Sequence, residues 1–582
     1  MKLIDITIKN FRSIKGDGIT LSLKDSDIIF LFGQNNSGKS SLLAAYEYMI
    51  TPKKKATLND FLGFDTNNHI EIKTTFLKEE GDNDIFEKKG FDKWVSEDGF
   101  IRFRKSWEDL DKEGKKETFD PSEEVNDYVE NGFGGLEPHL TKHSPTPVRI
   151  PAFPTPADLT KFIKETVQKS VLKSLKDDEA EAYQKVMTEI ETLQDRILSK
   201  EIITKKSEHA NENFRKIFPN LTLDISPIEG QEFNLASSLE KEFSVIIKDD
   251  RFPETKQDFS NHGHGVIRQA LFNFLGIVKN ELPTDVEDGN VSKDFIILFE
   301  EPEVYLHPKA IKLLRNVLYE LCSNSPFQII CASHSPSLID ISKPHTTLVR
   351  MLRDENGVTR LFQVGEDLFS SSQEIKDKVQ MINRFDPNIC ESFFADEVIL
   401  VEGDTEAIVV REILERKFPS KDIFVVNTGS KNNIPFFQKI FNHFNIKQHI
   451  IHDSDTRYNY SKSKNQDGTL SYTLKTNNDG SPKNNSAWTI NESIWDELVA
   501  GNAIKADLSK RYVSIYDFES SHDYVYDKEK GKPLSAFEYG NQLDLQGDAS
   551  ILSFVNMICG EIDKTTEYNQ NDINELVNEP NE

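Results

Sequence analysis

The sequence predicts an α/β protein of several domains. Apolar runs such as Ile28–Phe32, Phe295–Phe299 and Val398–Val401 alternate with helical segments, and this alternation is typical of parallel sheets joined by helices. Glycine or glutamate follows each of these runs directly, at the strand end where ligands bind in open α/β sheets. The chain has 582 residues, which at roughly 100–200 residues a domain corresponds to about three to five domains.

The composition indicates a folded chain with a strongly acidic total. Hydrophobic residues make up 37% of the chain and charged residues 29%, so it has enough apolar side chains for a core and is not a disordered polyelectrolyte. The formal net charge of −27 argues against a protein that coats nucleic acid, because phosphate backbones bind clustered Lys and Arg. It leaves room for a local DNA groove beside the carboxylates of a metal-dependent enzyme.

Cysteine usage and hydropathy predict a cytoplasmic protein. The cysteines are scattered without a C-x-x-C pair, which favours a reducing compartment over a disulfide framework or a zinc cluster. The start of the chain, Met1–Ile8, alternates polar and apolar residues, and no uncharged apolar run of 18 residues occurs. We therefore expect no export signal and no membrane span. The four cysteines are Cys322, Cys331, Cys390 and Cys559.

The N-terminal part predicts strands over Leu3–Ile8, Ile19–Leu23 and Ile28–Phe32, then a helix over Ser40–Tyr48. Residues 51–158 are mixed, with charged loops and a Pro-rich stretch that marks a boundary. Within these residues we expect loops at Lys53–Lys55 and Asp111–Glu117, and a buried strand at Val148–Ile150.

Residues 159–215 lack Pro and Gly and predict helices. Five apolar residues recur at alternating steps of three and four, over about two heptads, whereas a sustained coiled coil needs about three to four. We interpret the segment as a helical hairpin or dimerisation element inserted in the first domain, and an ordinary amphipathic core helix pair remains the alternative. The five residues are Tyr183, Val186, Ile190, Leu193 and Ile197.

The second half continues the α/β pattern. A helix over Ala310–Leu321 separates strands at Phe295–Phe299 and Phe327–Ala332, and a new α/β unit begins near residue 393. In that unit we expect strands at Val398–Val401, Ile423–Val426 and His449–His452, with helices over Thr405–Arg416 and Ile434–Phe444. The predicted domain bounds are 1–158, 159–215, 216–385 and 393–560, followed by an acidic, frayed tail at 561–582.

A polar stretch rich in Asn, Ser and Gly, Thr456–Ser486, is expected to be a loop. Its basic residues outnumber Asp467 and Asp479, so it forms a basic island in an acidic chain. We expect DNA to bind there. The basic residues are Arg457, Lys462, Lys464, Lys475 and Lys483.

A phosphate-binding loop follows the third predicted strand. Residues 33–40 fit G-x-x-x-x-G-K-[ST] between a strand and a helix, which is the context that the motif requires. Glycines let backbone N–H groups surround the phosphates, Lys39 neutralises the β/γ charge and the Ser40 hydroxyl reaches Mg²⁺. The residues assigned to ATP binding here are Gly33, Asn35, Asn36, Ser37, Gly38, Lys39, Ser40 and Ser41.

Carboxylates follow the strand Phe295–Phe299. We expect Glu300 to hold Mg²⁺ and its water and Glu301 to polarise the attacking water. Acids in this position are otherwise solvated loop residues, and the phosphate-binding loop favours the functional interpretation. A Gly-rich segment, Ser260–Gln269, lies before this strand, and His334 follows the next one.

These motifs in this order resemble the ABC-type ATPase heads of the RecF, RecN, SMC and OLD group. The resemblance implies that Gly263 and Gly265 contact the γ-phosphate of a nucleotide held by a partner head, and that His334 is the switch histidine. The Gly-rich segment departs from the usual Leu-Ser-Gly-Gly-Gln form. Such heads complete their sites across a two-fold interface, so we expect a homodimer or larger assembly.

A second carboxylate group lies in the C-terminal unit. Glu402 ends a predicted strand before Gly403 and a helix, and Asp453-Ser454-Asp455 ends another strand 51 residues later. Because residues i and i+2 of a strand point to one side, the two aspartates are expected to converge on one cation with Glu402. Oxygen ligands favour Mg²⁺ or Mn²⁺, and acidic loop ends of an ordinary α/β domain are the alternative.

This C-terminal pattern resembles the TOPRIM domain, which has a Rossmann-like fold. The pattern is Glu-Gly, then a βαβ unit, then Asp-x-Asp. An ABC-type head followed by a TOPRIM domain resembles the OLD (overcoming lysogenization defect) family of ATP-dependent endonucleases. The resemblance implies one metal at Glu402, Asp453 and Asp455. It further implies a second metal held by Glu406 and Glu519, and a lysine, Lys532, that stabilises transition-state charge.

The family resemblance implies an ATP-binding, Mg²⁺- or Mn²⁺-dependent DNA endonuclease that uses two metals, is regulated by its head and acts in antiphage defence. Family members act alone, with a helicase, or with a retron reverse transcriptase and its RNA, and the sequence leaves this choice open. A RecF-like DNA-binding repair protein without nuclease activity is the alternative. A topoisomerase or primase is disfavoured, because neither a covalent-tyrosine domain nor a zinc-binding module is visible.

Overall fold

The computed structural model describes residues 1–24, 26–79, 82, 92–130, 143–152, 215, 221–227, 243–249, 257–258, 263, 265–266, 270, 295–322, 325–338, 347–363, 387–464, 470–562 and 570–577. The chain divides into two compact units. Unit 1 comprises Met1–Asp340 and His345–Gln363, and unit 2 comprises Ile341–Pro344 and Val364–Glu582. The predicted helical insertion at 159–215 lies outside the described residues except for Arg215. No helix in the described ranges is long and apolar enough to span a bilayer.

Unit 1 contains an antiparallel sheet of order β2-β1-β4-β5-β6-β7. Burial alternates along its longest strands, so one face packs on the core and the other faces solvent. The expected charged loop at Asp111–Glu117 is wrong in its second half, since Lys115–Glu117 begin β6. The strands are β1 (Lys2–Lys9), β2 (Ile19–Ser22), β4 (Ile70–Leu77), β5 (Phe100–Trp107), β6 (Lys115–Asp120) and β7 (Asp127–Glu130).

The second sheet of unit 1 has the order β15-β14-β3-β13-β12-β8. Its strands run parallel except for β15, which pairs antiparallel with β14. The strands are β3 (Ile28–Phe32), β8 (Thr146–Ile150), β12 (Phe295–Glu300), β13 (Phe327–Ala332), β14 (Thr347–Arg353) and β15 (Thr359–Gln363). The expected strand at Val148–Ile150 is confirmed as part of β8.

Helix α1 (Lys39–Ile50) shares one buried apolar cluster with both sheets of unit 1, and α2 (Pro308–Cys322) joins β12 to β13. Parallel pairing places the carboxyl ends of β3, β12 and β13 at one edge of the sheet. The phosphate-binding loop and the acidic segment therefore lie together. A small antiparallel sheet is formed by β9 (Leu221–Pro227), β10 (Phe243–Asp249) and β11 (Gln257–Asp258).

Unit 2 is built on a parallel sheet of order β17-β16-β18-β21. Its strands are β16 (Glu397–Val401), β17 (Ile423–Asn427), β18 (Lys447–Asp453) and β21 (Ser509–Ser514). The helices are α3 (Asp404–Lys417), α4 (Ile434–His443), α5 (Ser486–Ile504), α6 (Phe518–Ser521), α7 (Lys532–Gln542), α8 (Ser550–Ile558) and α9 (Gln570–Leu576).

Two expectations for unit 2 are wrong. The stretch Thr456–Ser486 is not wholly a loop, because β19 (Tyr460–Lys464) and β20 (Leu470–Leu474) pair antiparallel within it. The tail is not frayed throughout, because α9 buries Ile573 in a small apolar cluster with Val513. Ile573 and Val577 are one helical turn apart. Two apolar residues at this spacing are too short a pattern to predict a packed helix from the sequence.

Candidate functional site

The phosphate-binding loop is shaped by two glycines with left-handed backbone. Gly33 has φ 135° and Gly38 has φ 104°. A Cβ atom at Gly33 would lie 1.9 Å from the Met351 carbonyl oxygen, so only glycine fits where the loop leaves β3. Gly38 caps α1 and leaves its first N–H groups pointing at the loop. These groups suit an anionic phosphate.

Lys39 lies buried under this loop. Its Nζ donates to the carbonyl oxygens of Gly33 and Gln34, both at 2.9 Å. Burial lowers the pKa of Lys39 to about 8, against the opposing charges of Glu301 and Glu303. The charge of a phosphate would favour the ammonium form further.

The serines of the loop differ in their surroundings. Ser37 is buried, and its Oγ has no hydrogen-bond partner among the described residues. Ser41 is fixed by a 3.1 Å hydrogen bond to Ser13, while Ser40 is exposed. A buried hydroxyl without a partner is costly, and the oxygen-rich phosphates of ATP would satisfy it, so the loop fits the nucleotide.

Glu300 pairs with an arginine that the sequence analysis did not single out as functional. Arg149 on β8 donates to Glu300 Oε1 at 2.6 Å and to Glu47 Oε2 of α1 at 3.3 Å. The Glu300 carboxylate, which is expected to hold Mg²⁺, is therefore also paired with the Arg149 guanidinium. An Arg inside an otherwise apolar strand beside the acidic strand is the signal that was available.

Glu301, Glu303 and His334 meet beside Lys39. Glu301 has φ 43°, and its Oε1 lies 3.9 Å from His334 Nε2. The backbone N–H of His334 donates to Glu303 Oε1 at 2.7 Å. Burial, and then the charge of Lys39, lower the pKa of His334, which favours a neutral imidazole at pH 7. The structure thus places Glu303, the third acid of the segment 300–303, in the same site, where burial raises its pKa.

The predicted Gly-rich segment is described only in part. Gly263 is exposed, and a Cβ there would meet nothing within 4 Å. A Cβ at Gly265 would lie 2.8 Å from the Tyr305 carbonyl oxygen, so the backbone needs glycine there. Of Ser260–Gln269, the structure otherwise describes Val266, and the assigned γ-phosphate contacts stay a prediction.

In unit 2, carboxylates gather at the carboxyl ends of β16 and β18. The backbone N–H of Asp453 donates to Glu402 Oε1 at 2.7 Å. Burial raises the pKa of Glu402 to about 7 and that of Asp453 to about 9, and neighbouring carboxylates add to both shifts. Acidic side chains therefore lie close together at this edge of the sheet, and their full ionisation is unfavourable.

The expected strand geometry of Asp455 is wrong, although the residue is near the others. β18 ends at Asp453, and Asp455 lies beyond it with φ 60°. The backbone N–H of Asp455 donates to Tyr516 at 3.0 Å, and Ser454, fully buried, accepts from the Tyr516 N–H at 2.8 Å. A tight turn bonded to the chain after β21 thus replaces the alternation of a strand.

Lys431 completes this group and was missed by the sequence analysis. It follows β17, is 5% exposed, and its Nζ donates to Asp455 Oδ2 at 2.6 Å and to the Asp453 carbonyl oxygen. A buried cation held by two groups on one turn fixes the position of that turn. A lysine just after a strand end, in the sheet that already carries Glu402, was the available signal.

Glu406, Glu519 and Lys532 form a neighbouring group. Glu406 lies in the first turn of α3, and burial raises its pKa, which the charge of Glu519 raises further and that of Lys532 lowers. Asp517 instead caps α6 by accepting from the Ser520 N–H at 2.8 Å. Of the two acids in the predicted downstream element, Glu519 is therefore the one whose charge reaches Glu406.

The donor set of unit 2 suits Mg²⁺ or Mn²⁺. Within the described residues, no three His, Cys, Asp or Glu side chains already converge as a metal cage. The predicted ligands nevertheless offer only carboxylate oxygens, and burial raises the pKa of Glu402, Glu406 and Asp453, with neighbouring carboxylates adding to each shift. Hard divalent cations relieve such crowding. The predicted ligands are Glu402, Glu406, Asp453, Asp455 and Glu519.

Comparison with known proteins gives two domain matches and several nuclease relatives. Residues 1–339 match the AAA ATPase domain family, and residues 393–455 match the TOPRIM domain of overcoming lysogenization defect protein-like proteins. The chain is 24% identical over 571 residues to the Old nuclease of Escherichia phage P2, covering 90% of this chain and 89% of that protein. It is 23% identical to Endonuclease GajA of Bacillus cereus, over 74% of this chain and 71% of that protein. A shorter match, 29% identical over 163 residues, covers 27% of this chain and 30% of the OLD nuclease of Thermus scotoductus.

Proposed function

The chain belongs to the AAA ATPase domain family, and from this premise we propose that it is an ATP-dependent DNA endonuclease that uses Mg²⁺ or Mn²⁺. It is a nuclease with an ATPase domain, as the names of its relatives and its OLD-like TOPRIM domain indicate. The same relatives and the chemistry of unit 2 support DNA as the substrate and metal-dependent hydrolysis as the reaction.

One observation carries the proposal. Glu402 and Asp453 are hydrogen bonded to each other at the ends of adjacent parallel strands, and Asp455 is held beside them by Lys431. Folding a chain around such a group of acids costs stability, so this edge of the sheet has a use other than packing. Oxygen ligands at one edge, without imidazole or thiolate, support phosphodiester hydrolysis by divalent ions.

We assign the predicted ligands to two positions. Glu402, Asp453 and Asp455 would hold one ion, and Glu406 with Glu519 would hold a second. Bound divalent ions would activate a water and stabilise the leaving oxygen. The buried ammonium of Lys431 orients the Asp453–Asp455 turn, and Lys532, exposed beside Glu406, would stabilise negative charge on the phosphate.

Unit 1 would bind and hydrolyse ATP and thereby regulate cleavage. Lys39 and the N–H groups of the phosphate-binding loop would contact the phosphates. Glu301 would orient the attacking water, with neutral His334 beside it. The Arg149–Glu300 pair links α1 to this site through Glu47.

The biological setting is proposed from the family. We place the enzyme in antiphage defence, acting as a homodimer or larger homo-oligomer on DNA. A helicase, or a retron reverse transcriptase with its RNA, is the class of partner to seek, and gene neighbours would identify it.

Plasmid cleavage tests the proposal. Wild-type protein is incubated with supercoiled plasmid and Mg²⁺ or Mn²⁺, beside Asp453→Ala/Asp455→Ala. The control, Asp422→Ala/Asp548→Ala, removes two exposed carboxylates of the same unit. We expect nicked or linear product from the wild type and the control, and none from the site variant. Equal product from all three proteins would refute the assignment of the site.

A further inference from the structure

A basic β-hairpin directly follows the carboxylate site in the chain. We call the described residues between Asp455 and α5, 456–464 and 470–485, which include β19 and β20, the basic hairpin. It begins directly after Asp455 and ends at the N-cap of α5. Over the sequence 456–485, five Lys or Arg against two Asp give a net charge of +3 in a chain of −27. Positive charge therefore follows the carboxylates Asp453 and Asp455 directly in the chain.

Two lysines of the basic hairpin lie opposite each other across a turn whose acid, Asp479, accepts hydrogen bonds from Ser481. Thr476 pairs antiparallel with Pro482, and the backbone N–H of Lys483 donates to the Lys475 carbonyl oxygen at 2.8 Å. Lys475 and Lys483 are thus opposite residues next to this bridge, and in a β-ladder opposite residues have Cβ atoms about 5 Å apart. Both are exposed, and neither forms an ion pair within the part of the chain that the structure describes. Like charges placed so are destabilising, and an anion would relieve the repulsion.

Hydrogen bonds tie the root of the basic hairpin together. Asn459 donates its backbone N–H to Lys483 at 2.9 Å and accepts from the Lys475 N–H at 2.8 Å. The Asn485 side chain donates to the Thr456 carbonyl oxygen at 3.0 Å while it caps α5. These bonds hold the lysine pair in a defined position relative to Asp455.

The distance from the site is short enough for one DNA molecule to reach both. Asn459 is four residues from Asp455, which is at most about 14 Å of extended chain. Each DNA strand carries a phosphate about every 3.4 Å along the helix axis. A phosphate at the carboxylates therefore has neighbours within about four to six nucleotides that the lysine pair can contact.

We propose that the basic hairpin is the DNA-backbone clamp of this enzyme, with Lys475 and Lys483 each contacting a phosphate. Arg457, whose guanidinium lies 5.5 Å from the ring centre of Tyr458, adds a further cation at the root. The inference rests on the proposed function, because it assumes that DNA is the substrate. It assigns binding to these lysines and chemistry to the carboxylates.

The salt dependence of DNA binding tests the clamp. Binding of a fluorescent 40-base-pair duplex is measured by anisotropy in Ca²⁺, under conditions where no cleavage product forms, from about 50 to 300 mM NaCl. Each phosphate contact contributes about 0.9 to the slope of log K against log salt. Lys475→Gln/Lys483→Gln should lower that slope by about two and weaken binding at 0.1 M salt by at least about tenfold.

The matched control is Lys421→Gln/Lys505→Gln, which removes the same charge from exposed positions before β17 and β21 at the opposite end of the sheet. Its slope should equal that of the wild type. In plasmid cleavage, the hairpin variant should raise KM and leave kcat within about twofold, because its lysines take no part in chemistry.

The outcomes separate the two proposals. A wild type that cuts DNA, together with a hairpin variant of unchanged slope and KM, overturns the clamp and leaves the nuclease standing; this is also the result expected of a hairpin that binds an acidic protein segment instead. A wild type that cuts no DNA overturns both.

Discussion

Asp453→Asn should stabilise the metal-free protein even though it removes a metal ligand. An aspartate in an unfolded chain titrates near 3.9, whereas burial and neighbouring carboxylates raise the pKa of Asp453 to about 9. Between these pH values the unfolded chain has lost a proton that the folded chain keeps. Stability contributed by this residue therefore falls as pH rises, by about 1.4 kcal/mol per pH unit.

The expected gain in stability follows from the difference between the pKa of Asp453 in the unfolded chain and in the folded protein. At pH 7 the full linkage is about 4 kcal/mol, and part of the shift comes from the neighbouring charge of Glu402, whose own pKa is raised to about 7. We therefore expect Asp453→Asn, which is neutral at every pH, to be more stable than the wild type by about 2–4 kcal/mol at pH 7. For a unit of about 200 residues this corresponds to a rise in Tm of about 4–16 °C.

The assay is calorimetric unfolding in EDTA from pH 4 to 8, with the exposed Asp422→Asn as control. The difference between Asp453→Asn and the wild type should be small near pH 4 and widen as pH rises, while the control follows the wild type. Excess Mn²⁺ should raise the Tm of the wild type more than that of Asp453→Asn, which keeps only the position at Glu406 and Glu519. A variant that melts at or below the wild-type temperature at every pH would refute the reasoning.

Three further changes test other contacts. Lys431→Met should lower the stability of metal-free unit 2 by about 2–3 kcal/mol, because it leaves the partly exposed Asp455 without its buried partner, and calorimetry in EDTA checks this; an unchanged Tm would contradict the positioning role. Lys39→Ala should weaken binding of a fluorescent ATP analogue by about 10- to 100-fold, since charged hydrogen bonds are lost, and equal affinity would be inconsistent with the loop assignment. Arg149→Ala should reduce the kcat of ATP hydrolysis by at least about tenfold through loss of its hold on Glu300 while nucleotide affinity changes little; unaltered hydrolysis would remove Arg149 from the site.

Local sequence patterns predicted most of the fold and some of the residues of both sites. The phosphate-binding loop needs particular residues at fixed spacing between a strand and a helix. Its position can therefore be predicted from the sequence without any tertiary information. Glu402 and Asp453 were predictable for a similar reason, because each ends a run of buried β-forming residues. Parallel pairing then brings strand ends together.

The contacts that the sequence did not reveal are long-range. Arg149 and Glu300 are 151 residues apart, and Lys431 and Asp455 are 24 apart, so no periodic pattern connects them. The left-handed backbone of Asp455 depends on hydrogen bonds to residues beyond β21. The basic hairpin lacks a strong strand signal because serine, lysine and asparagine dominate it, and backbone pairing decides its structure.

Cleavage of supercoiled plasmid by Asp453→Asn tests the central claim most directly, because the substitution removes one carboxylate and preserves the shape and folding of the site. With Mg²⁺ or Mn²⁺ at saturating concentration, the wild type should nick or linearise the plasmid. Asp453→Asn, which should be more stable than the wild type without metal and so remain folded, should cut at least about 100-fold more slowly. Cleavage by Asp453→Asn at the wild-type rate would show that the carboxylates at the ends of β16 and β18 are not the nuclease site.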